Sequence, residues 1–482
     1  MTRHARTIVV LMLALTGVVA LAQDTLDRSK PPMPGPTPML HVPAWTRSTL
    51  GNGAELVVSE RHDLPLVSFM ITFSGGYNQA DPDARRGLAD MTAAMMSEGT
   101  KTRDGEALAA ALQLLGTSVN VRIAGETGTI AFRCIASKFP ATLEIVGDML
   151  VNPSFPPEAL ERLRAQRLVA LVQARDDPAA IASRMFPRLV YGDAHPYGQN
   201  VTDATLKAIT RDDVVAFHRA YFRPGRALVT VVGDVSAPAA RMSIEKALAA
   251  WPRGGEKPAF QYPAVPASRA STIYLADKPG AAQSTFAIGT TGPPRSTPDY
   301  FALQVMNTIL GGMFQSRLNA NIREEKGYSY GVGSSFGYGK GPGAFRAGGD
   351  IVAAKSDAAL IEFMKELRGI RGERPITDAE LSTAKDALTQ RLPATFSSAQ
   401  SVNTAIVSLW TQGLPDDYYQ QYAARIAAVQ REDVVRVARQ YVDVAHLVIV
   451  IVGDRSTIEG PLRATHVAPI TMTDIEGTPA GP

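Results

Sequence analysis

The strongest constraint on this chain is an internal offset. Ala208-Ile209-Thr210-Arg211-Asp212-Asp213-Val214-Val215 returns as Ala428-Val429-Gln430-Arg431-Glu432-Asp433-Val434-Val435. Tyr221 returns as Tyr441, and Val232-Gly233-Asp234 as Val452-Gly453-Asp454. Every pair lies 220 positions apart without a gap. Solenoid repeats are a few tens of residues long, so a period of this length means a whole domain present twice. In each copy a helix opened by acidic residues leads into a β-rich strand, Ala227–Val232 in the first and Leu447–Val452 in the second.

The punctuation fits two halves. Pro252, Gly254, Gly255, Pro258, Pro263 and Pro266 mark a linker over 252–269, between domains at 45–251 and 270–460 and before a tail at 461–482. Glu55–Ser59 and Leu66–Phe73 alternate in the manner of paired strands. Asp104 caps a helix whose Leu108, Leu112 and Leu115 share one face, and Gly116 ends it. Strands followed by helices, with antiparallel signals rather than strict βαβ alternation, imply an α+β fold.

At the N-terminus Arg3, His4 and Arg6 precede the apolar run Ile8–Val19 and the small-x-small sequence Ala20-Leu21-Ala22. This pattern is a signal peptide over 1–22, cleaved after Ala22, and directs the chain to the periplasm or outside the cell. The alternative is an uncleaved anchor helix. No Cys follows the site, which argues against a lipoprotein, and cleavage leaves no stable membrane anchor. A Pro-rich lead-in covers 23–44. The formal charge of +3 falls to +1 once Arg3 and Arg6 leave, which points to neither nucleic acid nor anionic lipid. The single cysteine, Cys134, can form no internal disulfide and reads as a buried strand residue.

Two stretches carry chemistry. Gly87-Leu88-Ala89-Asp90-Met91-Thr92-Ala93-Ala94-Met95 resembles the first motif of the M16 (insulinase/pitrilysin, mitochondrial-processing-peptidase-like) zinc peptidases, which reads roughly G-x-A-H-x-x-E-H-M. The first His falls on Asp90, the Glu on Ala93 and the second His on Ala94. The family's third ligand, a Glu, falls on or beside Ala170. Zinc needs several converging N, S or carboxylate donors, and one carboxylate with three methyl groups cannot supply them. The seven histidines (His4, His41, His62, His195, His218, His446 and His466) include no two within five residues of each other, so no metal ligand is assigned.

The second half keeps more of the pattern. Leu310-Gly311-Gly312, Ser316-Arg317-Leu318 and Ile322-Arg323-Glu324-Glu325-Lys326-Gly327-Tyr328-Ser329-Tyr330 follow the family in order and separation. Leu50-Gly51-Asn52-Gly53, Leu115-Gly116 with Asn120, His195-Pro196-Tyr197-Gly198 and Gln283-Ser284 extend the likeness over most of 45–456. The resemblance implies two homologous domains, each a mostly antiparallel sheet covered by helices, together forming one arm of a clamshell. It also implies that Arg323 and Tyr330 bind the substrate backbone and the oxyanion in an active site whose zinc sits on the opposite arm. Without the resemblance, Arg323 is a surface charge on a charged turn and Tyr330 an ordinary sheet residue. Gly311 and Gly312 resemble the family's glycine-rich loop and read equally as a helix C-cap.

These features lead to an exported, zinc-less subunit, inactive alone. It would pair with a homologue carrying His-x-x-Glu-His and Zn²⁺, act on peptides, and need no cofactor of its own. The alternative is an inactive scaffold or peptide-binding homologue.

Overall fold

The computed structural model describes residues 40–267 and 269–479. The expected leader and residues 23–39 of the Pro-rich lead-in lie outside the described residues.

Two six-stranded mixed sheets form the frame. The first contains β1 (Thr46–Thr49), β2 (Glu55–Glu60), β3 (Leu66–Ser74), β4 (Val119–Ala124), β5 (Thr127–Ile135) and β6 (Ala227–Gly233), in the order β1-β2-β6-β3-β5-β4. The second contains β7 (Thr272–Asp277), β8 (Gln283–Thr291), β9 (Ser329–Phe336), β10 (Ala344–Val352), β11 (Val448–Gly453) and β12 (Ile470–Thr473), in the order β12-β7-β11-β8-β10-β9. Five strands correspond one to one. The sixth comes from opposite ends of the chain: β1 runs antiparallel to β2, whereas β12 runs parallel to β7. The residues after 460 therefore complete the second sheet.

Strands β2 and β3 look like a hairpin pair in sequence but do not touch as one. β6 lies between them, parallel to β2 and antiparallel to β3. A hydrophobic run buried along its whole length favours that central place over an edge. β11 takes the equivalent place between β7 and β8.

The two central strands show how the halves interlock. Val229 and Val231 face the first half's own helices, as Ile449 and Ile451 face the second's. The opposite faces are covered by helices from the other half. Val57, Leu228 and Val232 pack on Val402, Ile406, Leu409 and Trp410 of helix Ala399–Gln412. Ala276, Ala287, Val450 and Val452 pack on Ile181, Ala182, Met185 and Phe186 of helix Pro178–Tyr191. Each large apolar side chain buried this way stabilises the fold by about 1.5–3 kcal/mol, so both exchanged helices are integral to the sheets they cover. Asn403, fully buried, adds polar specificity: its Nδ2 donates to Ser68 O at 3.1 Å and its Oδ1 accepts from the Thr230 hydroxyl. The intervening stretch 252–267 has no helix or strand; Arg223 and Gly225 hold its start through Arg253 O and Gly254 O, and a cluster around Tyr262 holds it further on. There Glu126 accepts from the hydroxyls of Tyr197 and Tyr262 and, at 2.9 Å, from the Lys340 backbone N–H.

Candidate functional site

The helix bearing the degenerate motif spans Leu88–Met95. Its start is fixed by the buried Asp81, whose carboxylate accepts from the N–H groups of Gly87 (2.8 Å) and Ala89 (2.7 Å). Burial pushes the Asp81 carboxyl up to about 6. Leu88, Met91, Ala93 and Met95 enter the core of the first half. Ala93, at the position of the family's glutamate, therefore presents its methyl group to apolar neighbours. Ala94 is half-buried against the same core, and Ala170 is exposed on helix Pro157–Ala174.

Asp90, the one carboxylate left in the motif, is exposed but paired. Arg167, one turn before Ala170 on the neighbouring helix, reaches its Oδ2 with Nε at 2.8 Å and Nη2 at 2.7 Å. A second pair, Arg162 with Glu98, joins the same helix to the end of the motif segment. Positive charge is thus supplied where the motif would hold a cation, and the donor set does not fit zinc. Among the described residues no three His, Cys, Asp or Glu side chains stand close enough to hold a metal ion. His195 is buried and His218 half-buried, each packed against its neighbours. His195 stacks on Tyr191, while His218 donates Nε2–H to Leu150 O at 2.9 Å and is pushed down to about 4 by burial. Cys134 is buried on β5, and burial raises its thiol to about 11.

The second half presents a different surface. Arg323 lies in a π-helical turn, Ala320–Glu325, and Gly327 ends that turn with φ +65°, where a side chain would be strained. The chain then returns as β9. Opposite Asp350 of β10, β9 places two residues, Tyr330 and Gly331, because the register slips by one between Gly349↔Val332 and Ile351↔Ser329. This is a β-bulge, a device that re-aims a side chain. The Ser329 hydroxyl holds it, donating to Asp350 O at 2.6 Å and accepting the Gly331 N–H at 3.0 Å. Tyr330 is 89% exposed, and its hydroxyl bonds to none of the described residues. Arg323 uses Nε on Glu324 at 3.1 Å and leaves both Nη groups without an acceptor among the described residues.

Gly311 and Gly312 belong to another π-helical turn, Thr308–Gly312. A Cβ on Gly311 would meet Ser334 N at 2.3 Å and Ser334 Oγ at 2.4 Å. The glycine therefore lets this turn lie directly on β9, the strand that carries Tyr330. Asn307 secures the contact, with Nδ2 donating to Ser334 O at 3.0 Å and Oδ1 accepting from Ser334 Oγ at 2.8 Å.

Family models match both halves. The model for the insulinase family, peptidase family M16, covers residues 56–193, and that for the peptidase M16 inactive domain covers 208–388. The chain belongs to the peptidase M16 family. An uncharacterized zinc protease of Streptomyces coelicolor is 26% identical over 295 residues. That match spans 59% of this chain and 63% of the relative, a little less than two thirds of its length. The non-peptidase homolog YmxG of Helicobacter pylori is 22% identical over 404 residues, 83% of this chain and 92% of that protein. Among solved structures, a peptidase M16 inactive domain from Pseudomonas fluorescens matches with TM-score 0.77 and 25% identity, over 85% of this chain and 98% of that one.

Several features of this region escaped the sequence reading. Arg167, Asn307 and the bulge at Tyr330–Gly331 carry no motif, and the motif around Ser329 gave no hint that its hydroxyl holds that bulge. The one available signal was Gly331, since an isolated glycine inside a strand run marks a bulge.

Proposed function

We propose that this chain is the zinc-less subunit of a two-subunit M16 peptidase, exported to the periplasm or beyond. It would lend Arg323 and Tyr330 to peptide bound at the zinc site of a His-x-x-Glu-His partner. One contrast carries the reading. The motif helix offers one carboxylate, which Arg167 closes, whereas the Arg323 fork and the Tyr330 hydroxyl have no hydrogen-bond partner among the described residues.

The chemistry follows from where charge develops. When a metal-bound hydroxide attacks a peptide carbonyl, negative charge accumulates on the carbonyl oxygen. A phenol donor and a forked guanidinium stabilise that charge and hold the neighbouring backbone. The partner supplies the metal and the nucleophile; this chain's part is binding and oxyanion stabilisation. No helix among the described residues is long and apolar enough to cross a membrane.

The test is reconstitution. The chain alone should cleave no peptide, and cleavage should appear on mixing with a His-x-x-Glu-His homologue. Tyr330→Phe should then lower kcat by roughly 10²-fold, the usual scale for one oxyanion donor, with a smaller change in KM. Undiminished turnover by Tyr330→Phe would refute the catalytic contribution. The rival reading, a peptide-binding scaffold, draws support from the name non-peptidase homolog carried by the Helicobacter pylori relative. It predicts peptide binding with no gain of cleavage on mixing.

A further inference from the structure

Phe314 stands between the two π-helical turns, Thr308–Gly312 and Ala320–Glu325, with 60% of its surface exposed. Its ring centroid lies 4.5 Å from the guanidinium carbon of Arg323. Its backbone is held as well: Asn319, buried, donates Nδ2 to Phe314 O at 2.8 Å and accepts the Val332 N–H at 3.2 Å. One amide therefore ties the segment bearing Phe314 to the strand bearing Tyr330.

The geometry of a cation over an aromatic ring matters here. The ring attracts the guanidinium through its π face, while the N–H donors point outward in the guanidinium plane. A guanidinium held over the ring in this way is steadied without consuming a donor. A carboxylate partner would steady it too, but would occupy the fork. Glu324 approaches Nε, and neither Nη group donates a hydrogen bond among the described residues, so the fork stays available while the side chain is restrained.

We propose that Phe314 is a positioning residue for Arg323. Its ring orients the free Nη fork toward the carbonyl of an extended peptide, and its remaining exposed surface receives an apolar side chain beside that carbonyl. This inference rests on the peptide-binding role proposed above and names the class of segment preferred there, an extended peptide with an apolar residue flanking the bound carbonyl.

The test uses the full chain and a fluorescein-labelled, end-capped decapeptide with leucine at alternate positions, titrated by fluorescence anisotropy. Phe314→Leu keeps a similar apolar volume but removes the ring. It should weaken binding about two- to fivefold, the scale of an exposed cation–π contact. Phe314→Trp should restore wild-type affinity, because indole is the best partner for a cation. In an Arg323→Ala background, Phe314→Leu should have a clearly smaller effect. A lower affinity for the same peptide with serine in place of leucine completes the expected pattern. If Arg323→Ala weakens binding while Phe314→Leu matches wild type, or costs the same with and without Arg323, this inference falls and the role of Arg323 stands. If Arg323→Ala binds as wild type does, or the wild-type chain shows no saturable binding, the proposed role of Arg323 falls and this inference with it.

Discussion

Asn403→Ala isolates the interlock between the halves. Asn403 sits on helix Ala399–Gln412 of the second half, yet its side chain bonds only to Ser68 and Thr230 of the first sheet. Truncation removes the donor to Ser68 O and Ser68 Oγ and the acceptor for the Thr230 hydroxyl. Thr230 keeps an alternative acceptor, Met70 O at 3.2 Å, so its loss is partly made good. Ser68 lies on β3 between β5 and β6, so its backbone stays in the sheet while the side-chain link to the helix is lost. Two net hydrogen bonds at about 0.5–1.5 kcal/mol each, with the cost of buried groups left unpaired, give roughly 2–4 kcal/mol. That is a 30- to 700-fold change in the folded-to-unfolded ratio, at about 1.4 kcal/mol per decade. The assay is urea unfolding followed both by circular dichroism and by tryptophan fluorescence. Trp251 reports on the first half, Trp410 on the exchanged helix and Trp45 on the seam between them. Both signals should shift together to lower urea. Thr404→Ala, on the exposed side of the same helix, should change stability by less than about 0.5 kcal/mol. A loss below about 0.5 kcal/mol for Asn403→Ala, or a second-half transition that moves while the first half stays put, would refute the idea that the halves form one cooperative unit.

His218 is held well below its ordinary value by burial, so its contribution to stability is complete above pH 6.5 and is lost as pH falls toward about 4. A 2.5-unit difference corresponds to roughly 3 kcal/mol, and His218→Gln should flatten the stability–pH curve by that amount relative to wild type across this window. Equal slopes for the two proteins would overturn the assignment. Asp81, raised to about 6, works in the opposite sense and is common to both proteins, so the difference between them belongs to His218. A double-mutant cycle of Asp90→Ala and Arg167→Ala should give a coupling of only about 0.2–1 kcal/mol, reduced by salt, because the pair is partly exposed. A coupling above about 2 kcal/mol would mean that the pair supports more than a surface contact. Gly311→Ala should lower stability by about 1–3 kcal/mol in thermal unfolding, because the new methyl group meets the β9 backbone. An unchanged Tm would show that the turn is free to move.

The duplication was legible because a fixed offset needs no knowledge of contacts. That Asp90, Ala93 and Ala94 share one helix was legible for a similar reason, since a helical run shows in local spacing. Strand order was not. β6 pairs with strands more than 150 residues earlier in the chain, and local alternation is silent about what inserts between two neighbouring runs. The exchanged helices were hidden too. An amphipathic pattern over 178–191 or 399–412 shows that a face is buried, but not which sheet buries it. At the site, Arg167 meets Asp90 across 77 residues, a pairing that no local pattern encodes. The bulge that turns out Tyr330 arises from a one-residue mismatch between two strands, so it belongs to neither strand's sequence alone.

Helix exchange also sets a timetable for the nascent chain. The last strand of the first sheet ends at Gly233, but the helix that covers its second face ends at Gln412. At a synthesis rate of about 5–20 residues per second, those 179 residues take roughly 10–35 s to make. Throughout that interval the surface around Val57, Leu228 and Val232 has no partner to pack against. Burial of this face must wait for nearly the whole polypeptide, so a chaperone has its longest opportunity on the half that is made first.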